Sequence, residues 1–162
     1  MIQQLSKQQL STVRDLAYAI WPICYAAILS QDQIDYMLDR FYSIQNLEDL
    51  HLSNHHFIAL YEGGEPLGFA SFEHGLEGST TTKLHKIYVL TNQHTRGLGQ
   101  QLMDAVIDAA VAAGATQLQL NVNRYNKALG FYEKNNFSIV KTEDIAIGNG
   151  YLMEDYVMVK PL

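Results

Sequence analysis

The chain has 162 residues, of which 48 % are hydrophobic and 17 % charged, a balance that excludes a disordered segment and suits one domain with a sizeable core. With 11 Lys+Arg against 17 Asp+Glu the formal net charge is −6, which disfavours a non-specific nucleic-acid binder because such proteins need a basic surface. Cys24 is the single cysteine, so an internal disulfide is excluded. No apolar run approaches the roughly 20 residues that span a bilayer, and MIQQLSKQQL lacks a signal-peptide core; a cytoplasmic protein with no membrane partner is expected.

Residues 2–5 read as a short first strand. Ser6 followed by Gln9 reads as a capping box, and Leu10, Val13, Leu16, Ala17 and Ile20 then recur at helical spacing over residues 7–29. Pro22 should kink or divide that stretch. Cys24 within it reads as a small buried hydrophobe. Ser30 reads as the N-cap of a second helix, QDQIDYMLDRFYSI, with Ile34, Met37, Leu38 and Phe41 as its apolar stripe. After residue 54 the period changes. HHFIALYEGGEPLGFASFEH reads as two strands about a Gly63-Gly64 turn, and TTTKLHKIYVL, residues 80–90, as a third strand rich in β-branched and aromatic residues.

Residues 97–113 give the clearest helix, with Leu98, Leu102, Val106, Ala109 and Ala113 on one face and Gly114 ending it. TQLQLNV alternates like a strand, KALGFYEKNNF reads as a short helix and its exit, and EDIAIG-NG-YLMEDYVMVK reads as a hairpin about Asn149-Gly150. Together these elements make a mixed α/β sheet in one domain, residues 1–162, with no repeat and no linker.

The stretch HTRGLGQQLM puts two glycines where a helix begins. Helix N-termini leave unpaired N–H groups and about half a positive charge, and glycines let an anion approach the backbone. Residues Thr95 to Gln100 can therefore cradle a phosphate, although a plain turn fits the same residues. A nucleotide P-loop is excluded because Gly99 is followed by Gln100-Gln101, and a dinucleotide fingerprint because Leu102 stands at its third glycine.

Taken together, IYVLTNQHTRGLGQQLM and LQLNVNRYNKALGFYEKNNF resemble the GNAT acetyltransferase superfamily. Ile87-Tyr88-Val89 matches the strand end of that family's pattern and Gly97-Leu98-Gly99 its loop. Asn126, Ala128, Phe131-Tyr132-Glu133-Lys134 and Phe137 match its last segment. The match covers about residues 55–160; the N-terminal helices agree only in type and position. Three departures stand out. His94 occupies a loop position that is usually Gln or Arg. The Asn126-to-Tyr132 interval is one residue shorter than in many members, which makes Asn123 a rival for the asparagine role. Asn136 replaces a glycine before Phe137, a position where asparagine tolerates the left-handed conformation.

The resemblance implies a single-domain GNAT fold with a mixed, mostly antiparallel central sheet flanked by helices, and acetyl-CoA as co-substrate with no metal. It implies that the backbone of Thr95, Arg96, Gly97, Leu98, Gly99 and Gln100 holds the pyrophosphate. The pantetheine arm would lie along Ile87, Tyr88 and Val89 like an added strand, with Asn126 hydrogen-bonded to it and Lys134 near a phosphate. One N–H, that of Ile87 or Tyr88, would polarise the thioester carbonyl. Tyr132 occupies the general-acid position.

An acceptor alkylamine with a pKa of about 10 is only about one part in a thousand neutral at pH 7, so a base raises the reactive fraction. Many members carry a glutamate near Asn121, which cannot serve. His85, on the same strand face as Ile87, is the candidate, as in the arylalkylamine acetyltransferases, and an imidazole pKa of about 6.5 suits the task. Glu73, His74 and water remain alternatives.

The C-terminal stretch IGNGYLMEDYVMVKPL and the helix YMLDRFYS are similar to bacterial polyamine acetyltransferases, which makes a small primary amine or polyamine the expected acceptor. Asp32, Asp35, Glu73 and Glu77 could then hold a cation. An amino acid, an aminoglycoside or a protein N-terminus remains open, as does a CoA-binding sensor without turnover. A homodimer is possible.

Overall fold

A computed structural model describes residues 1–162, apart from the side chains of residues 93–95. Its elements in chain order are β1 (Ile2–Gln4), α1 (Leu10–Cys24), α2 (Gln31–Tyr42), α3 (Ile44–Leu52), β2 (His55–Glu62), β3 (Glu65–Glu73) and β4 (Thr81–Val89). There follow α4 (Leu98–Ala112), β5 (Gln117–Asn123), α5 (Leu129–Lys134), β6 (Ser138–Gly148) and β7 (Tyr151–Pro161).

The local signals act where they should. The Gln9 side chain accepts from the Ser6 N–H at 2.9 Å, and the helix that follows buries Leu10, Val13, Leu16, Ala17 and Ile20. α1 is not divided at Pro22: the helix runs through it and ends at Cys24, two residues further on. Ser30 caps α2 by accepting from the Gln33 N–H at 3.1 Å. The second helix is shorter than its sequence suggests. Ser43 turns to an extended ψ of 148° and its side chain caps a third helix, α3, by accepting from the Asn46 N–H. A serine inside an amphipathic run is equally a cap, and the run alone hides the break.

Both hairpin turns form on left-handed pairs, Gly63-Gly64 at φ 59° and 82° and Asn149-Gly150 at φ 56° and 78°. Asn136 also takes a positive φ, 67°. The last hairpin is longer than its alternation suggests, since β6 begins at Ser138. On α4, Leu98, Leu102, Met103, Val106 and Ala110 are buried, whereas Ala113 is the exposed C-cap, past the last helical turn.

The strands form one seven-stranded sheet in the order β1-β2-β3-β4-β5-β7-β6. Every neighbouring pair is antiparallel except β4 and β5, which α4 joins as the crossover a parallel pair requires. The sheet is a mixed, mostly antiparallel α/β layer with a separate core on each face. One core packs α4 and α5 against residues such as Ile58, Leu84, Leu118 and Met158. The other packs α1, α2 and α3 against residues such as Phe57, Ala59 and Phe69. No helix among the described residues is long and apolar enough to cross a membrane.

Candidate active site

The parallel pair parts halfway along. The β4–β5 ladder runs from Thr81↔Gln117 to Leu84↔Leu120. Beyond that rung β4 stays paired with β3 and β5 stays paired with β7. Between the diverging ends opens a cleft of about 1090 Å³, reaching from the glycine turn to the β6–β7 hairpin. His85, Ile87, Tyr88, Val89, Gly97, Gly99, Gln100, Asn126 and Tyr132 all line it, so one space gathers residues spread over nearly 50 positions of sequence. The side chains of His94 and Thr95 lie outside the described residues.

At the glycine turn the two glycines do different things. Gly97 holds φ 72° immediately before α4, a conformation that costs an L-residue about 1–2 kcal/mol. Gly99 has no such φ, and a Cβ there would meet only Phe131 and Val89 at ordinary contact distances of 3.8–3.9 Å. Neither backbone conformation nor packing within the chain explains a glycine at 99. The missing side chain leaves the N–H groups that open α4 accessible, an arrangement that can accept an anion. Gly68 opposite is needed for packing: a Cβ would stand 2.8 Å from the Tyr88 carbonyl oxygen.

The other residues expected to hold the donor divide. The Gln100 side chain is engaged by Asp104 and Asn135, which leaves its backbone to the cleft. Arg96 is turned to Glu62 at 2.5 Å. Leu98 is buried in the core, and Lys134 is exposed at the end of α5; Arg96, Leu98 and Lys134 are not among the cleft residues. Asn126 and Asn123 both line the cleft, and each spends its carbonyl oxygen on a local turn. Asn126 Oδ1 accepts from the Ala128 N–H at 2.8 Å and Asn123 Oδ1 from the Tyr125 N–H at 2.9 Å. Such side-chain turns fix the loop that leads into α5.

Tyr132 is 7 % exposed and packs edge-on to Phe131 and Phe137. Burial raises its pKa, so the phenol keeps its proton at neutral pH. Tyr88 and Tyr25, also pushed upward by burial, share a hydrogen bond of 2.8 Å between their hydroxyls.

His85 sits at an irregularity. Ser71 pairs with Lys86 but Phe72 pairs with Leu84, so His85 is the extra residue of a β-bulge, a device that re-aims side chains. Its Nε2 donates to Glu73 Oε1 at 2.9 Å, and its ring stacks on that of His55 at 4.3 Å. His55 Nε2 approaches the same carboxylate oxygen at 3.7 Å. Desolvation brings the pKa of His85 down to about 4, opposed by the hydrogen bond to Glu73. The imidazole is therefore neutral throughout the physiological range, but a weaker base than the free side chain suggests. The ligand atoms of His55, Glu73 and His85 lie within 4.8 Å of one another. Stacked rings keep the two Nε2 atoms in separate planes, and Glu73 Oε1 is the point on which they converge. His74 is engaged elsewhere, with Thr82 Oγ1 at 2.8 Å.

Across the cleft, sequence reading missed an acid. Asp155 is 2 % exposed and lines the cleft. Burial raises its pKa, opposed by a hydrogen bond from Asn121. Asn121 Nδ2 donates to Asp155 Oδ2 and Glu143 Oε2, each at 3.3 Å, while Asn121 Oδ1 is buried with no partner among the described residues. A signal for Asp155 exists in the sequence: it is the one acid in phase with Met153 and Val157 on a strand that buries that phase. The exposed Asp32, Asp35 and Glu77 are not among the cleft residues.

This fold and this cleft define a class, and comparison with known proteins agrees. The acetyltransferase (GNAT) family matches residues 12–137, and the chain belongs to that family. Over 85 residues it is 34 % identical to the L-methionine sulfoximine/L-methionine sulfone acetyltransferase of Pseudomonas paraeruginosa, and equally to the protein of that name from Pseudomonas aeruginosa. The aligned region covers 51 % of this chain and 49 % of each relative; the chain thus spans about half the length of the curated relatives it matches.

Among solved structures, the PaiA N-acetyltransferase of Thermoplasma acidophilum, in complex with coenzyme A, superposes with a TM-score of 0.84 at 22 % identity. That superposition covers 100 % of this chain and 98 % of that one. The ribosomal-protein-S18-alanine N-acetyltransferase of Escherichia coli gives 0.75 at 19 %, covering 99 % and 92 %. These two likenesses concern the fold.

Proposed function

We propose that residues 1–162 act as one acetyl-CoA-dependent N-acetyltransferase domain, which moves the acetyl group directly to a primary amine of a small-molecule acceptor bound beside the donor. The observation that carries this reading is the cleft between the parted strands β4 and β5, bounded at one end by a glycine that the chain's own packing does not require. An extended, phosphate-bearing thioester suits such a cleft. Its phosphates would meet the N–H groups that open α4, and its arm would lie along β4 beyond its last rung with β5.

Each residue's part follows from its surroundings. The backbone N–H of Ile87 or Tyr88 stabilises negative charge on the acyl oxygen. His85, neutral and held by Glu73, takes a proton from the acceptor nitrogen directly or through water. Tyr132, kept protonated by burial, donates to the departing thiolate, whose pKa of about 8.5 by analogy with cysteine makes it a poorer leaving group without a donor. Asn126 Nδ2, free of the turn that engages its Oδ1, is the amide donor offered to the pantetheine arm.

For the acceptor, the curated relatives act on L-methionine derivatives by name, which brings α-amino acids ahead of polyamines. The ending that suggested polyamines has local work here: Asp155 lies in the cleft, and Lys160 Nζ donates to the Asn135 carbonyl at 2.9 Å. The test is free-thiol release from acetyl-CoA across a panel of amino acids, simple amines, polyamines and aminoglycosides. Release with one class supports the reading. CoA binding with no release from any amine would leave a sensor instead of an enzyme.

A further inference from the structure

Lys86 is a cation in the cleft with no counter-charge among the described residues. It is half-buried and lines the cleft. No carboxylate among the described residues stands within ion-pair distance of its Nζ, and the contact recorded for that atom is the Tyr42 ring, 5.5 Å from the centroid. Burial brings its pKa down to about 8, with no acid pulling it back. Its strand neighbour Lys83 differs, since Lys83 and Asp155 interact electrostatically. Half-buried ammonium groups are costly unless paired, so an unpaired one beside a ligand cleft asks for an anion from the ligand.

We propose that Lys86 anchors an anionic group of the acceptor, so that the cleft takes a zwitterionic α-amino acid with its carboxylate on Lys86 and its ammonium toward Asn121 and Asp155. This rests on the acetyltransferase reading above and names the substrate class of the same site.

The topology puts the two poles on opposite walls of one opening. Leu84↔Leu120 is the last rung of the β4–β5 ladder. Lys86 lies two residues past it on β4, and Asn121 one residue past it on β5. The β4 bulge supplies the extra residue that brings both His85 and Lys86 to the cleft. The opposite pole has its own unmet need: Asn121 Oδ1 is a buried acceptor without a donor among the described residues, and Asp155 is a buried carboxylate. An ammonium group supplies donors to both.

Other anions are less suited. The donor's phosphates belong to the glycine turn, and the three residues from Lys86 to Val89 already span about 10 Å of strand. A polyamine brings only cations, which Lys86 repels. An amine without an acid leaves Lys86 unpaired.

The test is a matched acceptor series, L-methionine sulfone, its amide and its decarboxylated amine, with the same three forms of leucine and phenylalanine. Specificity is read as kcat/KM from thiol release. In the wild-type protein each acid should exceed its amide by about a hundredfold, as loss of a desolvated charge pair implies. That ratio should collapse toward unity in Lys86→Gln and recover in part in Lys86→Arg, which also shows that the fold tolerates change at 86.

Acid and amide turned over equally well by the wild-type protein would overturn the inference, as would a ratio untouched by Lys86→Gln. Calorimetric binding of the acids and amides, with and without CoA, keeps the two readings apart. Acids bound at least tenfold more tightly than amides, with that preference lost in Lys86→Gln, uphold the subsite even where no thiol is released. Equal binding of acid and amide rejects it even where acetyl transfer occurs.

Discussion

The two faces of the sheet are built differently. On the α4 side Leu102, Met103, Val106, Leu118 and Met158 are completely buried. On the α1–α3 side the packing is aromatic and polar at once, with Trp21, Tyr25, Tyr42 and Tyr88 in mutual ring contact. Among the described residues, the buried polar atoms without partners, Trp21 Nε1, His55 Nδ1, Ser71 Oγ and Asn121 Oδ1, all belong to this second face. Unmet hydrogen-bonding groups weaken a fold. Their concentration on the face proposed for the acceptor fits a surface shaped for a ligand.

Substitution on the α4 face should have the largest effect. Leu102→Ala is expected to cost about 2–5 kcal/mol by the cavity it leaves, read as a lowered urea midpoint. A loss under about 1 kcal/mol would mean that this core collapses easily and that the contrast between the faces is overstated. Next comes chemistry at the edge of the same core. Tyr132→Phe should reduce turnover tenfold or more at neutral pH with acetyl-CoA affinity nearly intact, and unchanged turnover would remove the phenol from the mechanism.

Acid should distinguish the other face. His85 has a folded pKa of about 4, below the unfolded value of about 6.5, so the unfolded chain takes the proton first. Its contribution to stability is complete above about pH 6.5 and is lost as pH falls toward about 4. In His85→Gln the decline in Tm over that window should be shallower, and the acidic limb of the rate profile should disappear. Superimposable profiles would send the search for a base to Glu73 or to water.

A finer comparison lies within the glycine turn. Gly97→Ala should cost about 1–2 kcal/mol because of its left-handed backbone. Gly99→Ala should leave stability equal or slightly raised yet weaken CoA binding about tenfold, as expected for a cradle filled by a methyl group. If the two substitutions behave alike in both assays, the turn is structural only. Smallest of all, Ser71→Ala should move stability by no more than about 0.5 kcal/mol, since its hydroxyl has no partner among the described residues to lose; a loss above about 2 kcal/mol would show that it has one.

Much of this was legible in the chain. Apolar spacing in α1 and α4, the Gly63-Gly64 and Asn149-Gly150 turns, and the order of strands and helices are local matters, set by periods of 3.6 and 2 and by left-handed turn residues. The end of the cleft proposed for the donor was legible for the same reason, because its glycines, strand and helix start are contiguous. What stayed hidden depends on neighbours distant in sequence. The break at Ser43 was masked by an amphipathic run that continues through it. The depressed pKa of His85 comes from burial, against the opposing hydrogen bond to Glu73, in surroundings that two hairpins assemble.

Where β4 and β5 part, Asp155 becomes a buried acid and Lys86 a cation with no ion-pair partner among the described residues. The chain by itself determined its elements and the family motif, since both rest on short-range pattern. The tertiary structure decided which charges face one another across the cleft, because pairing and desolvation are properties of assembled strands.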